Sequence, residues 1–279
     1  MAFIRSLATC LLLLISYLPF AQAEKASLEN TYVENEDDSF YWEVDLGLVL
    51  NHRQALIEEL DDVNADADLA LWVSGGVYYK NFFIESIPNR DNQLTLGYTL
   101  QENEDRQVNL IASSWFYPFS ENDQDEDETA LDGIRKRKAT SEVGIEVNTR
   151  YFGLDTQFRV LHDAFSVHDG SIINVNISKS IFTKTLYIRP SLGLAYVTKN
   201  AVDYYYGIDA SEATINRPEY HPSGDWVAAA RLYLDRPINE DWSIIASFSV
   251  AYVGEDISDS PIVNSHASYD INFGVLWAF

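Results

Sequence analysis

The stretch that most constrains this chain is Tyr269-Asp-Ile-Asn-Phe-Gly-Val-Leu-Trp-Ala-Phe279, at its carboxyl end. Tyr269, Ile271, Phe273, Val275, Trp277 and Phe279 fall on one face of an extended strand, and Asp270, Asn272, Gly274, Leu276 and Ala278 on the other. A period of two is the signature of a strand. A soluble edge strand is normally blunted with charge or proline, and this one is not. An apolar face with aromatics at both ends fits the closing strand of an outer-membrane barrel, whose lipid face carries an apolar band between two aromatic girdles. Tyr269, Phe273, Trp277 and Phe279 are therefore expected to act as the barrel-assembly signal.

The other end supplies the route to such a membrane. Met1–Ala23 has one early positive residue, Arg5, then an apolar core through Leu11–Ile15 to Phe20, then Ala21-Gln-Ala23. This reads as a secretory signal peptide cleaved between Ala23 and Glu24, its core too short to span a bilayer. Cys10, the one cysteine, lies in that core, so no disulfide or thiol chemistry is expected of the exported protein. With 19 Lys+Arg against 43 Asp+Glu, the chain is a poor partner for nucleic acid, whose phosphates demand basic patches.

Between these ends the alternation repeats. Glu24–Ser39 is polar and acidic, with Glu34, Glu36, Asp37 and Asp38, and is expected to be a mobile periplasmic lead-in to a barrel over 40–279. Strands are expected at 40–51, 69–80, 81–87, 93–101 and 107–119. The second should bend or bulge at Gly75-Gly76, and the fifth should stop at Pro118. A short helix is expected at Ala55–Leu60. From Ser141 the pattern is most regular, with tight turns at Phe152-Gly153 and Phe182-Thr-Lys184, a long connection over 198–225, and paired strands at 226–235 and 242–253. The total is about twelve antiparallel strands, an all-β transmembrane barrel with long connections outside and tight turns in the periplasm.

Loop 120–140 opposes an acidic run, Glu121–Glu128, to the basic Arg135-Lys-Arg-Lys138. The basic cluster could contact lipopolysaccharide phosphates and the acidic run could capture a divalent ion, but a solvated loop whose halves partly neutralise each other explains both. The inward strand positions hold Glu43, Asp45, Glu146, Arg150, Asp155, Arg159, Arg189, Arg231 and Asp235. Opposite charges in a narrow lumen are expected to pair, because an isolated ion there is expensive.

No cofactor or metal site and no catalytic set is expected. His266-Ala-Ser268 places a histidine and a serine on one strand face, and Asp163, His168 and Asp169 group at a hairpin, but neither has an evident orienting partner or oxyanion donor. Polar residues at a hairpin tip explain the second group.

The loop Asn200-Ala-Val-Asp-Tyr-Tyr-Tyr-Gly-Ile208, its continuation Arg217-Pro-Glu-Tyr220 to Gly224, Asp259-Ser-Pro-Ile-Val263, the Asp163 to His168-Asp-Gly170 hairpin and terminal Phe279 together resemble the MipA/OmpV family. The resemblance implies an outer-membrane protein in contact with lipid and lipopolysaccharide. It further implies a non-enzymatic scaffold for a periplasmic lytic transglycosylase and a penicillin-binding protein. Other members imply the alternatives, a narrow porin or solute channel, or a surface adhesin.

Overall fold

The computed structural model describes residues 40–57, 60, 65–86, 94–123 and 131–278. The expected signal peptide, the Ala23–Glu24 cleavage site, the lead-in, most of the acidic run 121–128 and Phe279 lie outside them.

The strands are β1 (Phe40–Gln54), β2 (Ala65–Tyr79), β3 (Phe82–Ser86), β4 (Thr95–Asn103), β5 (Arg106–Ser113), β6 (Glu142–Tyr151), β7 (Leu154–Asp163), β8 (Ser171–Ser178), β9 (Ile181–Phe182), β10 (Tyr187–Val197), β11 (Asp225–Pro237), β12 (Trp242–Val253) and β13 (Ala267–Ala278). Each pairs antiparallel with its neighbours, and β13 pairs with β1 from Asp45↔Ala278 to Gln54↔Tyr269. The two-residue β9 continues β8, since both pair with β10 and the Lys179 N–H between them donates to Pro190 O at 3.1 Å. The result is a closed barrel of twelve staves, the only arrangement besides a helix that satisfies every backbone group in lipid.

Alternation places each side chain. Along β1, Leu48 and Leu50 are exposed toward lipid while Gly47, Val49 and Asn51 are buried inside. Trp42, Phe82, Phe182, Trp242 and Trp277 ring the end that carries the start of β1, and the Trp242 and Trp277 rings stack at 6.2 Å. Connections alternate strictly: 80–81, 104–105, 152–153, 183–186 and 238–241 are short, and the intervening ones are longer. The short set shares an end with the start of β1, the periplasmic end of bacterial barrels. The 152–153 turn takes two residues with positive φ, Phe152 at 51° and Gly153 at 71°, the geometry that matches strand twist.

Gly75 makes no bulge: its φ is +127° while the β1–β2 register runs unbroken past it, and a Cβ there would meet Glu43 O at 2.1 Å. Three local expectations change. β5 ends at Ser113, well before Pro118, because the Trp115 N–H turns away to the Glu142 carboxylate at 2.9 Å and Ser114 Oγ donates to Thr140 O. No helix forms at the described part of 55–60; Ile57 and Leu60 instead bury themselves against distant loops, and Asn264 N–H donates to Leu56 O. Helices occur where only a connection was expected: α1 (Lys199–Tyr206) and the one-turn α2 (Glu255–Ser258).

Candidate functional site: the outer cap and the filled lumen

The described parts of the long connections, 114–123, 131–141, 198–224 and 254–266, fold into one another across the outer mouth. α1 is amphipathic, burying Ala201, Val202 and Tyr205 completely, and around Tyr205 pack Leu131, Ile134, Ile208 and Ile262. Each such side chain contributes roughly 1.5–3 kcal/mol on leaving water.

Polar bonds fix how the loops interlock. Arg137, wholly buried, grips Glu212 with both terminal nitrogens, Nη1 to Oε1 at 2.8 Å and Nη2 to Oε2 at 3.1 Å, and donates to Gly207 O at 2.8 Å. Burial pushes the Glu212 carboxyl up, but hydrogen bonds from Arg137 and the Asp209 and Arg135 amides, with the Arg137 charge, outweigh it and hold the pKa at about 2. Arg217 ties the same loop down through Glu212 O at 2.7 Å and Asp132 O at 2.6 Å. Ser260 Oγ donates to Tyr206 O at 2.6 Å, and burial pushes the Tyr206 phenol up to about 12. Tyr220 OH donates to Asp256 O at 2.9 Å, and Asp225 accepts from the Ile257 amide at 2.8 Å.

The basic cluster therefore does not present itself whole to lipid phosphates. Arg137 points inward to Glu212 and Arg135 pairs with Asp209 at 2.8 Å, so loop 198–224 neutralises two of the four charges and leaves Lys136 and Lys138 exposed.

Beneath the cap, Asp163 and His168 are buried, not displayed at a hairpin tip. Asp163 accepts from Thr140 Oγ1 and from the amides of Phe165, His168 and Asp169. His168 Nδ1 accepts the Gly170 N–H at 2.9 Å, which puts the ring hydrogen on Nε2, 3.2 Å from Glu142 Oε1. The group is a brace between barrel wall and cap. His266 is exposed and stacks on Tyr252 at 6.2 Å, with no hydrogen bond to Ser268 among the described residues.

Deeper still, Glu146 is a four-way acceptor: Asn109 Nδ2 at 2.9 Å and Asn148 Nδ2 at 2.7 Å on Oε1, Gln157 Nε2 at 2.9 Å and Arg159 Nε at 2.7 Å on Oε2. Asn109 and Arg159 lie directly across from it on β5 and β7, Gln157 diagonally on β7, and Asn148 two residues along its own strand. Asp155 bonds Arg150 at 2.9 Å near the periplasmic mouth and lies 3.9 Å from Arg189. Asp235 is buried, while Glu43, Asp45 and Arg231 are half-buried on inward faces. Near the periplasmic end Val49, Tyr187, Tyr233, Ile245 and Leu276 form an apolar cluster within the lumen. Tyr269, Phe273 and Trp277 lie on the lipid face of β13. Among the described residues no three metal-binding side chains converge.

A sequence model described as MltA-interacting protein MipA matches residues 36–279. The chain belongs to this family. The segments that carried the resemblance, α1 with Ile208, Arg217–Tyr220, Asp259–Val263 and the Asp163–Gly170 hairpin, are the parts from which the MipA-family cap and its brace are built. Among relatives, the outer membrane protein YiaT of Escherichia coli is 28% identical over 67% of this chain and 76% of its own. OmpV of Vibrio cholerae is 29% identical over 54% and 58%, and the MltA-interacting protein of Escherichia coli 25% over 34% and 38%. None of these names denotes an enzyme. The NanC porin superposes with a TM-score of 0.41 at 9% identity, over 83% of this chain and 98% of that one, too distant a likeness to add to the fold. The MipA-family barrel resides in the outer membrane, with its leucine and aromatic band in contact with lipid.

Proposed function

We propose that the protein is a non-enzymatic scaffold that holds murein-remodelling enzymes, a lytic transglycosylase and a penicillin-binding protein, at the outer membrane after export and cleavage between Ala23 and Glu24. The observation that carries this reading is the lumen: beneath an interlocked cap a fully buried carboxylate, Glu146, is held by four donors along one wall and not presented to a passing solute. A barrel capped and internally paired in this way suits a membrane anchor with a periplasmic face. The relative named MltA-interacting protein supports the same direction. Docking would use the short turns and the acidic residues Glu34, Glu36, Asp37 and Asp38, which would bind a basic partner surface and weaken with salt.

The test is affinity capture from crosslinked envelopes. Recovery of wall enzymes that is lost on neutralising the four acids, and kept when loop 120–140 is removed, is the expected result. Recovery of none, with a solute-uptake defect in a deletion strain, would replace the scaffold with a narrow channel.

A further inference from the structure

The hairpin 164–170 between β7 and β8 is a strained segment. Ser166 and Asp169 carry side chains and yet sit in left-handed backbone, at φ 52° and 49°, a conformation that persists only where the surroundings impose it. Two anchors impose it here. At one, the Asp163 carboxylate takes the amides of Phe165, His168 and Asp169. At the other, the Gly170 N–H donates to His168 Nδ1 at 2.9 Å, and Gly170 lies so close under α1 that a Cβ there would meet the Ala201 Cβ at 2.7 Å. α1 closes on this end: Asn200 Nδ2 donates to Asp169 O at 3.1 Å, the Ser171 N–H to Thr198 Oγ1 at 2.7 Å and the Thr198 N–H to Ser171 O at 3.0 Å.

The second anchor needs an uncharged ring. Nδ1 accepts only while it carries no proton, and an imidazolium would set its own N–H against the Gly170 N–H. The His168 side chain is fully buried among Phe116, Tyr204 and Tyr205, at 5.7 to 6.4 Å between ring centres, while residues 164–166 and Asp169 are exposed, so the hairpin is the part with room to move. Of the charged groups around the ring, Glu142 on β6 faces Nε2 at 3.2 Å and Asp163 on β7 holds the His168 amide, and both anions gain from a positive ring. Arg137 of loop 131–140, 6.0 Å from the Tyr204 ring centre, is engaged by Glu212. Lys138, Asp169 and Lys199 are exposed, and Asp203 on α1 pairs with His221.

We propose that His168 is a proton-released latch on the cap: acid at the outer surface protonates its ring, Gly170 loses its acceptor, and the hairpin 164–170 swings off α1 while Glu142 keeps the ring. Each release takes up one proton, so acid shifts the balance toward the open hairpin and neutral pH toward the closed one. The latch goes beyond the scaffold reading and does not depend on it. Spin labels on Phe165→Cys and Ser211→Cys, in a Cys10→Ala background of the full-length protein folded in detergent, report the motion. Phe165 rides on the hairpin, whereas Ser211 stands beside Glu212, which Arg137 locks. Distances between the labels are measured by double electron–electron resonance at pH about 7.5 and about 5, either side of the free imidazole value of about 6.5. A longer-distance population should grow at least five-fold at the lower pH. His168→Asn keeps an acceptor where Nδ1 stood and cannot take the proton, so it should stay closed at both. No growth with the native histidine, or equal growth in His168→Asn, overturns the proposal. If His168→Asn does not assemble, NMR of the unsubstituted protein decides: the Gly170 amide shift should change with the same pH midpoint as the His168 ring nitrogens, and different midpoints overturn it.

Discussion

The two ends of the barrel solve chain reversal differently. At the periplasmic end the strands turn in two to four residues, and the Phe152-Gly153 turn does so at the cost of a bulky residue in left-handed backbone, a strain of order 1–3 kcal/mol. At the outer end the chain spends whole loops, and these are held less by local turns than by one another: Arg137 meets Glu212 across 75 residues of sequence, and Tyr220 meets Asp256 across 36. The periplasmic end is therefore a set of independent local structures, whereas the cap is one cooperative unit whose loops should fail together.

The largest expected effect tests that cooperativity. Arg137→Met strands the buried Glu212 carboxylate and should destabilise the cap by about 3–5 kcal/mol, while Arg137→Met with Glu212→Leu should recover most of the loss. Limited proteolysis of loops 131–140 and 198–224 reads it: both should become cleavable together, with heat-modifiable migration of the barrel unchanged. Cleavage of one loop alone would mean that the cap is not a unit.

Next comes the wall below. Glu146→Leu leaves the side-chain amides of Asn109, Asn148 and Gln157 and the Arg159 guanidinium without their shared acceptor, a loss of about 3 kcal/mol or more. It should lower the unfolding temperature of the whole barrel without exposing the cap to protease. Periplasmic turns should respond weakly: Phe152→Gly removes left-handed strain and should change stability by no more than about 1 kcal/mol, visible as a small shift in urea midpoint. A larger loss would show that the exposed Phe152 ring anchors the membrane interface.

The smallest effect is pH-dependent. His221 bridges Asp203 at 3.1 Å and Glu219 at 3.1 Å, and these hydrogen bonds raise its pKa above 6.5. A raised folded pKa means that its contribution is complete below 6.5 and fades as pH rises through the folded value. Glu212 has the opposite sign, its pKa lowered to about 2, so its contribution holds above 4.5 and is lost as pH falls toward 2. Cap proteolysis should thus quicken slightly as pH rises above 6.5 in the wild type and not in His221→Ala. An equal pH response in both would remove His221 from the argument.

Why the strands were legible and the cap was not follows from range. A strand advertises itself within its own sequence, because lipid outside and polar groups inside impose a period of two; Trp42 to Asn51 and Trp242 to Val253 read directly. The cap's structure depends on partners far away. Arg137, inside a run of four basic residues, carries no local sign that it will be buried, and the Asp163–Gly170 hairpin looks like any polar tip until Glu142 and α1 close over it. α1 itself is hard to read, because three consecutive tyrosines within eight residues give little helix preference without the loop core beneath them.

One consequence lies in the seam between β1 and β13. The bond from Asn51 to Asn272, 2.8 Å long, joins residues 221 apart, and closing a flexible loop of that length costs about 5 kcal/mol of chain entropy. No other neighbouring pair of strands spans so much sequence, so this seam is the natural last event of assembly, and until it forms two long ladders of backbone donors and acceptors stand open to any passing edge. Folding speed, more than final stability, is what this seam governs: changes to the lipid-facing side chains Phe273 and Trp277, which help bring β13 into register, should lengthen the lifetime of the open sheet and with it the window for aggregation.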